Sequence, residues 1–115
     1  MAEAAVKEIP LGFASSRLYE KDGQTYYRIS PVPGTQVIMP LHGPISKIEV
    51  LQRSDNVLML RKGVTRYTFR FEPTARGLER VRLTVALFGF LPMGVHFGDI
   101  STTDKEALFD AFSNA

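Results

Sequence analysis

The sequence predicts a mainly β protein: a small antiparallel barrel or sandwich of about seven strands, closed by one C-terminal amphipathic helix. Three observations carry this prediction. Runs of alternating apolar and polar residues follow one another from position 17 to position 100. Short turn signals separate these runs. The pattern then changes, and a run with helical spacing ends the chain.

The clearest turn signal is Asp22-Gly23, which lies between two strand-like runs. A type I′ turn needs positive φ at both central residues, and Asp-Gly supplies it readily. Because a two-residue turn fixes the register, we expect Tyr19 opposite Tyr26 and Arg17 opposite Arg28. The opposite face of this hairpin is apolar and is a candidate part of the core. It carries Leu18, Tyr27 and Ile29.

The later strands are predicted from alternation. Residues 65–72 and 80–88 alternate cleanly and are expected to pair through a loop at Pro73–Glu79. A short strand is predicted at 36–39 and another at 95–100, and the apolar run 85–95 is expected to be a buried strand that leads into a loop. The residues predicted to face the core are Tyr67, Phe69, Phe71, Val81, Leu83, Val85 and Leu87.

The chain is expected to form a single domain over residues 1–115, with strands over 17–100 and a helix over 104–113. Thr103 and Glu106 have the spacing of a capping box, in which the side chain of each accepts from the backbone of the other. Residues 1–12 are predicted to form a loose arm or a short helix. The helical face expected to pack on the strands carries Leu108, Phe109, Ala111, Phe112 and Ala115.

The order of elements across residues 17–115, several strands in a meander and then a helix, resembles the pleckstrin-homology-like architecture. Element order alone carries this resemblance, and no residue motif of that family is present. A tryptophan common in the terminal helix of the family has no counterpart, because the chain contains none.

Composition excludes several classes of function. The chain has no cysteine, so disulfides, thiolate nucleophiles and cysteine-based zinc sites are ruled out. The first residues lack the pattern of a secretory signal, and the longest apolar run has eleven residues, whereas a spanning helix needs about 20. We therefore expect no membrane span and a cytoplasmic protein. No cofactor or metal is expected, since neither histidine has metal-ligand spacing and no phosphate-binding loop is present.

Charge is unevenly distributed along the chain. Residues 47–82 contain nine basic and four acidic residues, a net charge of +5, whereas residues 99–115 carry four acids and one base, a net charge of −3. A basic body of this kind suits an anionic partner, or it is a solvated surface with internal pairing.

The first candidate site is the hairpin face, which consists of Arg17, Tyr19, Tyr26 and Arg28. Like charges directly opposite each other destabilise a hairpin, and a bound phosphate or carboxylate would relieve the repulsion. Tyrosines can also stack on bases or on side chains of a partner. The structural alternative is that the arginines point into water or stack on the tyrosines.

The second candidate is a basic stripe formed by Arg66, Arg70, Arg80 and Arg82. If the two strands pair as expected, Arg66 and Arg70 share one sheet face with Arg80 or Arg82, and these residues attract phosphates without sequence preference. The alternative is a solvated face, or edge charges that discourage strand addition. Glu72 and Glu79 lie beside the stripe in sequence and would neutralise part of it.

Catalysis and a ligand cavity are weaker alternatives. His96, Asp99 and Ser101 suggest a nucleophilic relay, but a strand would spread these side chains over opposite faces. His42 lies in a Pro-Leu-His-Gly-Pro loop. A small barrel could also hold an apolar molecule. Its lining would come from Met39, Met59, Met93, Phe88, Phe90 and Phe97.

The sequence thus favours a non-catalytic binding module that engages an anionic or protein partner through the hairpin face and the basic stripe. A nucleic-acid-binding domain that uses the same residues is the first alternative. A small-molecule-binding barrel or an enzyme is the weaker one. Self-association into a homo-oligomer is compatible with all three.

Overall fold

The computed structural model describes residues 4–34 and 40–113, and the side chains from residue 7 onward within the first of these ranges. These residues form two antiparallel sheets and one helix. The four-stranded sheet contains β1 (Ala4–Pro10), β2 (Ala14–Lys21), β3 (Gln24–Pro31) and β4 (His42–Pro44). The five-stranded sheet contains β5 (Glu49–Ser54), β6 (Val57–Lys62), β7 (Thr65–Ala75), β8 (Leu78–Leu87) and β9 (Leu91–Ser101).

Both sheets are meanders in which each strand pairs with its neighbours along the chain, and a short 3-10 helix, Ile45–Lys47, links them. Across the described ranges, no strand pairing closes either sheet into a barrel. The mainly β prediction is confirmed, but nine strands are present among the described residues instead of about seven. The strand predicted at 36–39 lies outside the described residues.

Two strand boundaries correct the sequence prediction. Ala4–Pro10 is a strand that pairs with β2, so the arm or short helix expected at residues 1–12 is wrong for these seven residues. The loop expected at Pro73–Glu79 is a tight turn at Arg76-Gly77, because β7 and β8 continue pairing almost to it. Long paired strands satisfy more backbone groups than a loop would.

The core lies between the inner faces of the two sheets, which contribute to one cluster of buried side chains. The four-stranded sheet supplies Ile9, Leu18, Tyr27 and Ile29. The five-stranded sheet supplies Leu58, Leu60, Tyr67, Phe69, Phe71, Val81, Leu83 and Val85. The alternating strands therefore face the core as predicted, except that Leu87 is only half-buried.

A close backbone contact holds the β1–β2 turn against β9. A Cβ at Gly98 would collide with the carbonyl oxygen of Leu11. No side chain fits there, so glycine is required by packing at this position.

Helix α1 (Thr102–Ala111) covers one end of the core and touches both sheets. Phe112, just after it, meets the ring of Tyr27 edge-on at 5.5 Å, and Phe109 meets Phe71 at 5.4 Å. The N-cap is Ser101, whose hydroxyl accepts from the Asp104 amide. The capping box predicted at Thr103 is therefore wrong by two residues. Ala115 lies outside the described residues.

Candidate functional site

The hairpin face adopts the predicted register, with Tyr19 opposite Tyr26 and Arg17 opposite Arg28. Tyr19 is nevertheless only 2% exposed. Its ring stacks on Tyr26 with centroids 5.3 Å apart, and its hydroxyl lies 2.6 Å from Nε2 of His42 on β4. Tyr19 is thus a packed residue, which corrects its interpretation as a surface that a partner could stack on.

The two arginines of the hairpin face differ in their surroundings. Arg17 is half-buried, and its Nε lies 3.4 Å from a carboxylate oxygen of Glu8 on β1. Arg28 is exposed, with Arg17 opposite on one side and His42 on the other. The chain itself therefore supplies a carboxylate that offsets part of the repulsion between the two guanidinium groups.

The second candidate site lies on the outer face of the five-stranded sheet. Pairing of β7 with β8 sets Arg70 directly opposite Arg82, and Arg80 opposite Glu72. Strand β6 adds Val57 opposite Arg70, and β9 adds Phe97 opposite Arg82. We call the surface formed by Arg70, Arg80 and Arg82 the arginine face.

A groove of about 390 Å³ runs along the arginine face. Its lining includes Val57, Arg70, Glu72, Arg80, Arg82 and Phe97. All three arginines are exposed, and Phe97 is 62% exposed. The groove therefore offers guanidinium groups flanked at both ends of one row by apolar side chains.

The acidic neighbours of the arginine face differ from those that the sequence indicates. Glu79 points inward, is 6% exposed, and is bound by Nζ of Lys105 at 3.1 Å. Among the described residues, none of the three arginines forms an ion pair within 4 Å. Glu72 and Asp99 are the cross-strand neighbours of Arg80 and leave the opposed Arg70–Arg82 pair without a carboxylate.

Arg66, the fourth residue predicted for the stripe, is separated from the other three. It lies opposite Ala86, with the Thr68–Thr84 pair between it and Arg70. It is half-buried, and its guanidinium packs against Gly89 in the β8–β9 turn. The structure brings three of the four predicted residues together.

The histidines take part in packing contacts that lie far apart in the fold. His42 contacts Tyr19, whereas His96 lies opposite Leu83 on β8 and stacks on Phe13 with centroids 5.3 Å apart. Asp99 is exposed on the outer face, and Ser101 caps the helix, so the three residues of the suggested relay do not converge. Within residues 4–34 and 40–113, no three His, Cys, Asp or Glu side chains form a metal site.

The described residues that were proposed to line an apolar cavity do not enclose one. Phe88, Phe90 and Phe97 are 63%, 78% and 62% exposed, so they cannot enclose an interior ligand. Met59 and Met93 are half-buried. Met39 lies outside the described residues.

Sequence reasoning missed three residues of these surfaces: His42 beside Tyr19, and Val57 and Phe97 beside the arginines. Phe97 could have been placed by continuing the register through the β8–β9 turn, but Phe88-Gly89 is not a common turn signal. His42 follows a long connection after β3, and no local pattern predicts which strand it joins.

No family model, curated protein or solved structure matches this chain. No helix in the described part of the chain has both the length and the apolar character needed to cross a membrane.

Proposed function

We propose that this protein is a non-catalytic binding module whose arginine face engages an acidic segment of a protein partner. The observation that carries the proposal is the Arg70–Arg82 pair, which is directly opposed across β7 and β8 and, among the described residues, has no carboxylate within 4 Å. Like charges opposite each other destabilise a sheet. An anion bound between them would relieve that repulsion and gain charge-assisted hydrogen bonds.

Apolar groups at both ends of the row support a protein partner. Val57 lies beside Arg70, and Phe97, largely exposed, lies beside Arg82. Arginine and aromatic side chains are enriched at protein interfaces, where the arginine fixes a carboxylate and the ring packs on apolar atoms. A peptide segment with acidic and apolar side chains provides partners for both.

Nucleic acid is the second candidate. A base could stack on Phe97 while Arg82 and Arg70 contact phosphates, which is the arrangement used by single-strand binding proteins. Glu72 and Asp99, however, flank Arg80 on the same face and would repel a continuous phosphate backbone. A short acidic peptide can avoid these two carboxylates, so it fits the surface better.

The cytoplasmic location and the pleckstrin-homology-like order of elements are also proposals. The lack of cysteine supports the first, because proteins of reducing compartments do not depend on disulfides. The meander followed by a terminal helix supports the second. Neither contributes to the choice of partner.

The test is a fluorescence anisotropy titration of a labelled oligoglutamate peptide with the full chain. We expect saturable binding that weakens at least tenfold in the Arg70→Gln plus Arg82→Gln double variant. The matched control is Arg17→Gln plus Arg28→Gln, which removes the opposed pair on the hairpin face and should leave the affinity unchanged. A labelled oligodeoxythymidine of about 20 nucleotides tests the second candidate. Tighter binding of this strand, with a steep salt dependence, would favour nucleic acid instead.

A further inference from the structure

One end of the five-stranded sheet exposes a group of apolar side chains, which we call the apolar end: Val64, Phe88, Phe90 and Leu91. Their exposed fractions are 53%, 63%, 78% and 46%. Val64 belongs to the β6–β7 turn and the other three to the β8–β9 turn or its edge. The Phe88 amide donates to the Val64 carbonyl oxygen at 2.8 Å, which joins the two turns into one surface. Large apolar groups that cluster in contact with water mark interaction sites.

The β8–β9 turn at the apolar end places a phenylalanine in a backbone conformation that this residue rarely adopts. Phe88 and Gly89 have φ of 55° and 80°, and the Phe90 amide donates to the Leu87 carbonyl oxygen at 3.2 Å. These are the features of a type I′ turn, whose first central position favours Asn, Asp or Gly. A bulky side chain at positive φ is strained, and such strain concentrates at functional sites. Formation of the turn therefore does not account for a phenylalanine at position 88, which points to a function for its ring.

The charges around the apolar end are basic except for Glu49 on β5. No acidic residue occurs at positions 56–71 or 80–98, which supply both turns and most of their strands. Lys62 is exposed beside the β6–β7 turn, with its side chain lying against Gly43 of β4, and the guanidinium of Arg66 packs against Gly89. Arg61 is already paired with Glu49. A depression of about 240 Å³ between the two turns is lined in part by Arg61, Arg66 and Phe88.

We propose that the apolar end binds the surface of a lipid bilayer that contains anionic lipids. The rings of Phe88 and Phe90 enter the boundary between headgroups and acyl chains, where aromatic side chains are favoured. Lys62 and Arg66 contact the anionic headgroups.

The shape of this end favours a lipid surface over a folded partner. The apolar side chains project from two turns on either side of a depression, and a fluid interface can follow this uneven surface without a matching shape. This proposal uses none of the residues of the arginine face and does not rest on the proposed function.

The test is co-sedimentation of the full chain with vesicles of phosphatidylcholine alone and with about 30% phosphatidylserine added, at low and high salt. We expect binding to the anionic vesicles, weaker binding at high salt, and little binding to the neutral ones. The Phe88→Asn plus Phe90→Ser double variant should bind at least tenfold more weakly. Its thermal unfolding midpoint should be equal or higher, since Asn tolerates positive φ at position 88. The Lys62→Gln variant should lose the salt dependence in part.

The matched control is Leu78→Ser, which removes an exposed apolar side chain at the opposite end of β8 and should bind like the wild type. Equal binding to both vesicle types, no binding at low salt, or an unaffected Phe88/Phe90 variant would overturn the proposal. Light scattering without vesicles provides another decisive result. We expect the wild-type chain to be a monomer. If it is a dimer and Phe90→Ser dissociates that dimer, the apolar end is a contact between copies of this chain and the proposal is overturned.

Discussion

Two of the arginine pairs that face each other across antiparallel strands, Arg17–Arg28 and Arg70–Arg82, differ in their surroundings. Arg17 and Arg28 lie on the four-stranded sheet, where Glu8 pairs with Arg17 and a stacked tyrosine pair packs beside them. Arg70 and Arg82 lie on the five-stranded sheet beside an open groove, and no described carboxylate is within 4 Å. The same cross-strand repulsion is offset by Glu8 in one case, whereas in the other no ion pair among the described residues offsets it.

The difference shows that an opposed arginine pair does not identify a binding site by itself. What distinguishes the two pairs is the third strand on each side. Strand β1 brings an acidic residue to Arg17, whereas β6 and β9 bring Val57 and Phe97 to the Arg70–Arg82 row. These neighbours come from other turns of the meander, so they are a property of the fold.

The largest expected effect separates the aromatic residues of the two faces. Tyr19→Ala should lower the free energy of unfolding by about 3 kcal/mol, because it removes a fully packed aromatic ring. Phe97→Ala should change it by less than about 0.5 kcal/mol, because that ring is mostly exposed. Urea unfolding followed by circular dichroism measures both values. Equal values for the two variants would contradict the distinction between a packed face and an open one.

The next effect concerns affinity. Arg70→Glu should weaken binding of an oligoglutamate peptide at least tenfold, equivalent to about 1.4 kcal/mol, because it reverses one charge of the pair. It should not lower stability, since a carboxylate would then face Arg82. Arg28→Glu makes the same change on the hairpin face and serves as the control, with no expected loss of affinity. Similar losses of affinity in both variants would show that the peptide responds to the net charge of the protein and not to a specific arginine pair.

A smaller effect concerns the tyrosines beneath the two faces. Burial raises the pKa of Tyr27 in the four-stranded sheet and of Tyr67 in the five-stranded sheet. The unfolded chain ionises first, so the stabilising contribution is complete below pH of about 10 and is lost as pH rises further. Urea unfolding at a series of alkaline pH values should show this decline, with a shallower slope in Tyr27→Phe.

Tyr27→Phe also has a prediction at neutral pH. Among the described residues, the Tyr27 hydroxyl is buried without a hydrogen-bond partner. Ser16 lies next to it and donates its own proton to the Ile9 carbonyl oxygen at 2.6 Å, so its Oγ can interact with the Tyr27 hydroxyl only as an acceptor. Removal of the hydroxyl should therefore leave stability unchanged or raise it by up to about 1 kcal/mol. A loss of stability would show that this hydroxyl is bonded.

The smallest effect comes from Glu8→Gln. The pair joins half-buried Arg17 to exposed Glu8 and is accessible to water, so its removal should lower stability by only a few tenths of a kcal/mol. It also leaves the Arg17–Arg28 pair without its carboxylate. We therefore expect a slight gain of peptide affinity, about twofold or less, in the anisotropy titration. If the Arg17–Arg28 pair of this variant bound the peptide as tightly as the arginine face does, Glu8 alone would distinguish the two pairs.

Much of the fold could be predicted because its determinants are local. Asp22-Gly23 sets the register of β2 and β3 correctly, and alternation identifies the buried faces of β7 and β8. The strand at Ala4–Pro10 could not be predicted, because it has no alternating pattern and is stabilised by pairing with β2. Phe88-Gly89 was missed as a turn for a related reason, since its first residue contradicts the usual preference.

The candidate site was predicted only in part. Sequence could place Arg70 on one sheet face with Arg80 or Arg82, but it could not show that Arg82 is the residue opposite Arg70 or that Glu79 turns inward to Lys105. It also could not show that His42 covers Tyr19, because His42 follows a long connection after β3 and no local pattern pairs it with that strand. The burial of Tyr19 and the pairing of Glu79 with Lys105 depend on contacts with other elements of the fold, which local sequence patterns do not predict.

The most direct test of the central claim is to locate a bound acidic peptide by NMR. Titration of the isotope-labelled chain with oligoglutamate should shift the backbone amide signals of Val57, Arg70, Arg82 and Phe97. It should also shift the side-chain Nε–H signals of the two arginines among them, and leave the signals of Arg17 and Arg28 in place. Shifts centred on Arg17 and Arg28, or weak shifts spread over every exposed arginine, would contradict it.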